Sequence, residues 1–231
     1  MLIANARDFE RFAHLKYVPL PGGDASIKRP YRTALAHLWA AGISWDEALP
    51  CVAQVPSTER RVLQQQLEKN VNCVPTSSMG RLFDAIAALI GIRQTVTYEA
   101  QAAIEMEALC DSAVHEAYPF ALAGADPIQI DPAPMWHALM RDVIAGVPVP
   151  TMAAKAHNGI ASLIVDLSMK ARETADLNVI ALSGGVFQNV RLMALAVPRL
   201  RDAGFEVLTH AKVPPNDGGL SLGQAVIAGA Q

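Results

Sequence analysis

From residue 177 onward, apolar runs of strand length alternate with stretches of helical spacing, an order that leaves few ways to fold. Leu177-Asn-Val-Ile-Ala-Leu182 is a strand-length run, Ser183-Gly184-Gly185 a tight turn, and 189–203 a helix with Gly204 as its stop. Residues 205–210 read as a second strand, Val213-Pro-Pro-Asn-Asp-Gly-Gly219 as a loop, and 220–230 as a last helix. This β-α-β-α order requires parallel strands joined by a right-handed crossover. Both loops then follow the carboxyl ends of parallel strands and open on one crevice, where ligands of open α/β folds bind. Pro198, inside the crossover helix, predicts a kink or break.

Upstream of residue 175 the pattern is mostly helical. Helical spacing over 31–41 ends at Gly42, and Ser44 with Glu47 has capping-box spacing for a short helix ended by Pro50. A polar helix over 57–69 carries Val62, Leu63 and Leu67 as its apolar stripe. A buried helix over 78–90 follows the N-capping run Thr76-Ser77-Ser78 and stops at Gly91. A long helix over 99–117 is expected to turn Ile104, Leu109 and Val114 inward. Gly124, Pro127, Pro132 and Pro134 mark a loop before helices over 134–145 and 151–174. Pro19, Pro21, Gly22, Gly23 and Pro30 make the first 30 residues read as extended chain. The expected fold is α/β, with an extended lead-in 1–30, a helical portion 31–174 and an α/β portion 175–231.

Composition removes several function classes. With 52% hydrophobic and 18% charged residues the chain is globular, and its net charge of -3 gives no electrostatic case for nucleic acid or an anionic membrane. The longest apolar stretches, such as 85–90, fall far short of the roughly 20 residues of a membrane span. The start, Met-Leu-Ile-Ala-Asn-Ala-Arg-Asp, lacks the apolar core of a signal peptide. Cys51, Cys73 and Cys110 are odd in number and far apart, which reads as a reducing cytoplasm. The histidines form no H-x-H or H-x-x-x-H pair, and local spacing assembles neither a nucleophile elbow nor a Cys/His set.

Four places could carry chemistry, each with a plainer alternative. The Gly184-Gly185 turn, between a strand and a helix, is either an anion site of backbone N–H groups or simply a tight turn. Asn189 either contacts a ligand or caps the following helix, and Asp217 is either an N-cap or a ligand to metal or substrate. Arg81 and Asp84, spaced i, i+3 on an apolar helix, are either a surface ion pair or a buried carboxylate that has a partner and a task.

Five segments together resemble a known family. Val-Pro-Leu-Pro-Gly-Gly-Asp24, Thr-Ser-Ser-Met-Gly-Arg-Leu-Phe-Asp84, Tyr98-Glu-Ala-Gln-Ala-Ala, Ser-Gly-Gly-Val-Phe-Gln-Asn189 and Val-Pro-Pro-Asn-Asp217-Gly-Gly-Leu-Ser-Leu-Gly-Gln run in the order found in the C-terminal part of HypF. HypF is the carbamoyltransferase of nickel-iron hydrogenase maturation. It is related to the TsaD-type threonylcarbamoyl transferases of tRNA modification and to the actin, sugar-kinase and chaperone (ASKHA) superfamily.

The resemblance implies half of an actin-like domain that binds an ATP-derived carbamoyl-adenylate and passes the carbamoyl group to the C-terminal cysteine of HypE, whose product supplies hydrogenase cyanide ligands. It implies adenosine contacts from Asp84 and Asn189, close passage of Gly184 and Gly185 to the nucleotide, and a divalent-metal contact from Asp217. The family's paired metal histidines, first phosphate-binding loop and carbamoyl-adenylate-forming module lie upstream of the matched region. Ala100 stands where relatives usually carry Gly, and Val190 where Arg often follows the Asn.

The expectation is a C-terminal portion of a HypF-like enzyme with little catalysis of its own. The alternative is a non-enzymatic nucleotide-binding or interaction module that docks with a longer homologue or HypE, or self-associates through exposed apolar surface. A transferase acting on tRNA fits the acidic balance and the last loop less well.

Overall fold

A computed structural model describes residues 1–5 and 7–229. Its N-terminal stretch is extended and hydrogen-bonded into the rest. Strands β1 (Leu2–Ala4) and β2 (Phe9–Arg11) form an antiparallel hairpin. β3 (Ala13–Leu15) and β4 (Val18–Pro21) each bury their alternate residues, Ala13 and Leu15, then Val18 and Leu20.

After the short α1 (Asp24–Lys28) comes α2 (Pro30–Ala40), with Pro30 at its first turn, where a missing N–H costs nothing. The same rule corrects the reading around residue 50: Pro50 opens α3 (Pro50–Ala53), and residues 44–49 are not helical. In α4 (Ser57–Lys69) the buried stripe is Leu63 and Leu67, four apart, while Val62 faces out. β5 (Cys73–Thr76) pairs antiparallel with β4 and leads into α5 (Met79–Leu89), capped by Ser78 as expected.

The core lies between α2 and α5, which pack along their lengths. Leu35 and Leu38 meet Leu82, Phe83, Ile86 and Leu89, and interspersed alanines let the two helices approach closely. Each such fully buried side chain contributes roughly 1.5–3 kcal/mol.

α6 (Gln101–Leu109) is half the expected length. Its buried face is Ala102 and Met106, whereas Ile104 and Leu109 are exposed. The helix stops because the next segment has better partners. Asp111 takes the backbone N–H of Ala113 at 2.9 Å, and the buried Asn158 donates to the carbonyls of Val114 and Glu116 at 2.9 and 3.0 Å. Inside the expected loop lie two strands, β6 (Ala121–Ala123) and β7 (Ile128–Asp131); β7 pairs antiparallel with β6 and parallel with β3. α7 (Ala133–Ile144) buries Trp136 and the 27-residue α8 (Val149–Ala175) runs beneath both portions of the chain.

The C-terminal unit has the expected order. β8 (Val179–Ala181) and β9 (Glu206–Leu208) are parallel, joined through a 3-10 turn (Gly185–Gln188) and α9 (Val190–Asp202). α9 runs unbroken through Pro198, contrary to the expected break. It packs on α8, where Arg172 lies 3.6 Å from the Phe205 ring centre and donates to the Ala203 carbonyl at α9's C-terminal end. A second 3-10 turn (Asp217–Gly219) leads into α10 (Leu220–Gly229), which buries none of its side chains. Ala230, the expected end of that helix, lies outside the described residues. Among those described, no helix is long and apolar enough to cross a membrane.

Candidate functional site

One segment of the N-terminal lead-in and two of the helical portion converge on an open cleft of about 790 Å³. Leu20, Ile27 and Lys28 form one wall, Thr76, Ser78, Arg81 and Asp84 the floor, and residues 96–100 the opposite rim. Ser78 sets the floor by accepting the Arg81 backbone N–H at 3.3 Å, so that Arg81 and Asp84 share the helix face turned to the cleft.

Asp84 Oδ2 lies 2.9 Å from an Arg81 guanidinium nitrogen, and its side chain is only 5% exposed. Burial pushes this carboxyl up to about 6, against the pull of Arg81, and the charge of Glu99 pushes the same way. The ion pair is therefore not a solvated surface pair. Asp84 is an underhydrated acceptor, suited to a ligand's hydroxyl or amine donors.

Glu99 was not singled out as a site residue from the sequence, although it lies in one of the five segments. Its rim is held by Gln101, which accepts both the backbone N–H and the hydroxyl of Thr97, at 2.9 and 3.2 Å, and donates to Glu105 at 3.0 Å. Glu105 in turn takes a bidentate pair from Arg93 at 2.8 and 2.7 Å. Ala100 adopts φ +60°, the left-handed region, which explains why glycine suits this position. Ala there costs about 1–2 kcal/mol, partly offset by the roughly 0.4–1 kcal/mol of extra unfolded-state entropy that glycine brings. Ala100→Gly should therefore stabilise the chain by about 0.5–1 kcal/mol, read as a raised midpoint in urea unfolding.

The other two segments sit beside this cleft. Val186 lies against Gly80 at the start of α5. Gly184, at φ +104°, donates its N–H to the Pro215 carbonyl at 2.7 Å, so the two polar loops adjoin as expected. A Cβ on Gly219 would fall 2.7 Å from the Pro214 carbonyl oxygen, whereas Gly184 and Gly185 have nothing within 4 Å of theirs. Their main chain is open to an approaching ligand.

The start of α9 is already occupied. Glu107, from α6, accepts the N–H groups of Val190 and Arg191 at 2.7 and 3.1 Å, and Asn189 caps Leu192 at 2.7 Å. An anion at this helix terminus would have to displace Glu107, and the Gly184 N–H in the glycine turn is likewise taken, by the Pro215 carbonyl.

Asn189 also donates to His157 Nε2 at 3.0 Å, and His157 Nδ1 lies 3.2 Å from the Cys110 sulfur. This set is not an activated thiol. Burial pushes Cys110 up to about 11, and His157 Nδ1 is engaged by the Ala153 carbonyl at 2.8 Å.

In the last loop Asn216 caps the turn by accepting the Gly218 N–H at 3.0 Å, and Asp217 is exposed. Among the described residues no three His, Cys, Asp or Glu side chains gather as a cation cage requires, so Asp217 belongs to no such group.

Residues 1–224 match the family described as "Carbamoyltransferase, Kae1-like Domain, second subdomain". The carbamoyltransferase HypF of Rhodobacter capsulatus is 38% identical across 100% of this chain, which spans 30% of that protein. A HypF homologue of Cupriavidus necator is 31% identical, with 100% of this chain and 60% of its own length covered. Among solved structures, full-length HypF in its phosphate- and nucleotide-bound form superposes with a TM-score of 0.94 at 41% identity, over 99% of this chain and 30% of that one. HypF from T. kodakarensis gives 0.81 at 27% identity, over 99% of this chain and 31% of its own.

Proposed function

This chain belongs to the HypF carbamoyltransferase family, and on that premise we propose that it supplies the nucleoside-binding part of a carbamoyl-transfer site. The observation that carries the reading is the buried, Arg81-paired carboxylate of Asp84 on the floor of a cleft built from three of the five family segments. With Glu99 across from it, Asp84 would accept the ribose hydroxyls of an ATP-derived carbamoyl-adenylate. Asn189 contacts the adenosine, and the open main chain at Gly184 and Gly185 passes close to the nucleotide. Asp217 contributes one ligand to a divalent metal, whose other ligands are not grouped with it among the described residues. That the 41% identical full-length HypF is described as nucleotide-bound supports a nucleotide as the ligand.

In the proposed transfer, the thiolate of a HypE-like partner's C-terminal cysteine attacks the carbamoyl carbon. A C–S bond forms, the C–O bond to the adenylate phosphate breaks, and AMP leaves with the electron pair. The thiol's proton has by then passed to solvent.

Calorimetric titration with ATP and Mg²⁺ tests the reading. The chain should bind, and Asn189→Ala should weaken binding at least tenfold.

A second reading is favoured by the bare α10, where Leu220, Leu222, Val226 and Ile227 are all exposed, and by the exposed Val179 and Leu208 of the β8–β9 sheet. It is an interaction module that covers these side chains with another part of a HypF-like polypeptide or with a second copy. No heat on titration, together with concentration-dependent self-association in sedimentation, would select it over the nucleotide reading.

A further inference from the structure

We infer that His157 is a positioning residue, whose neutral Nδ1–H tautomer fixes the carboxamide of Asn189 at the start of α9. The inference deepens the reading of Asn189 as a nucleotide contact and rests on it.

His157 is fully buried on α8, and Nδ1 lies 2.8 Å from the Ala153 carbonyl oxygen. A carbonyl oxygen can only accept, so Nδ1 carries the proton and Nε2 presents a lone pair. The Asn189 amide nitrogen, 3.0 Å from Nε2, fills that lone pair as donor. With its nitrogen so held, the amide turns its oxygen to the Leu192 N–H at 2.7 Å. The alternative flip would set oxygen against the Nε2 lone pair and nitrogen against a backbone N–H, two repulsive contacts in place of two hydrogen bonds.

Donor direction therefore runs one way, from Leu192 through Asn189 and His157 to Ala153. One amide hydrogen of Asn189 is used inside this chain, and the other is left for a ligand. Burial disfavours the imidazolium and so keeps the direction from reversing. The ring also rests against Phe83, at 5.1 Å between centres. Phe83 is the immediate neighbour of Asp84, so His157 couples the α9 loop to the floor of the cleft.

Two readouts separate this role from plain packing. In ¹⁵N NMR of the histidine-labelled chain at pH 7.5, His157 should show a protonated Nδ1 and a bare Nε2. An Nε2–H tautomer at that pH would overturn the inference, whether or not nucleotide binds.

In the ATP titration, His157→Leu should lower affinity about tenfold. His157→Gln, which keeps an acceptor near the Nε2 position, should restore most of it. In an Asn189→Ala background, His157→Leu should cost nothing more. Equal losses in both backgrounds, or no loss at all, would overturn the positioning role. If the wild-type chain binds no ATP, the nucleotide reading fails by itself. The shift of the Asn189 side-chain amide resonances in His157→Gln and His157→Leu then decides: near-native in the first and displaced in the second supports positioning, and displaced equally in both refutes it.

Discussion

Replacing Asp84 with Asn should abolish measurable ATP binding while raising the melting temperature of the unliganded chain by about 3–6 °C. The two effects have one cause. Burial lifts this carboxyl from an ordinary 3.8 to about 6, so the folded state holds its proton more tightly than the unfolded chain does. Between those values the folded form binds more protons, and stability falls as pH rises through the interval. Above pH 6 the full penalty is in place, about 3 kcal/mol at 1.36 kcal/mol per tenfold.

An amide of the same shape escapes that penalty. It gives back part of the gain because the Arg81 guanidinium, with its side chain 16% exposed, loses its counter-charge. A net gain of about 1–2 kcal/mol remains. The same carboxylate is the acceptor for ligand hydroxyls, and so binding is lost as stability is gained. A binding-competent site that strains its own fold is a common trade.

The pH profile carries the same signature. In the wild-type chain ATP affinity should fall as pH drops below 6, where Asp84 protonates, and the stability of the Asp84→Asn variant should lack the corresponding step. A variant that melted lower at pH 7.5 and still bound ATP would remove Asp84 from the site.

What the sequence disclosed depended on how local the governing interactions are. The β8-α9-β9 order is written in contiguous residues, an apolar run, a glycine turn and a helix with its cap, and it folds as read. The Ser78 cap and the Arg81–Asp84 pair are likewise local, three residues apart in each case.

β6 and β7 escaped because each is a few residues among glycine and prolines, and β7 gains its parallel neighbour from the distant β3, where Ala13 pairs with Ile128. The end of α6 was not legible because its periodicity continues past Leu109, while Asn158 from a distant helix holds the Val114 and Glu116 carbonyls in a non-helical segment. Glu107 reaches the start of α9 across 83 residues, and His157 lies 47 residues from Cys110 and 32 from Asn189. Contacts of that separation leave no spacing to read. The site was legible as five separate segments, and the couplings between them were not.

Gly159→Ala should be among the most damaging single substitutions in the chain, although it exchanges a poor helix former for the best one. Within α8 the exchange is worth about 1 kcal/mol in the helix's favour. Against it stands the backbone of Tyr118, which crosses α8 at this point. A Cβ on Gly159 would lie 3.2 Å from the Tyr118 nitrogen and 3.3 Å from its carbonyl carbon, and closer still to the oxygen. Main-chain atoms cannot rotate away as a side chain would.

The crossing is also fixed from both ends. Tyr118 donates its N–H to the Lys155 carbonyl at 3.1 Å, and its hydroxyl reaches Asp142 at 2.6 Å. Asp142 also takes the Lys155 ammonium at 2.6 Å. Relief therefore requires the 114–118 segment to move off α8 and give up the Asn158 bonds next to His157. The expected net cost is about 3 kcal/mol, a fall of roughly 6–10 °C in melting temperature. It should come with loss of the His157–Asn189 geometry. The same exchange at Gly223, whose Cβ would meet nothing within 4 Å, should cost no stability and serves as the control. If Gly159→Ala melted no lower than Gly223→Ala, the close crossing of α8 by Tyr118 would be disproved.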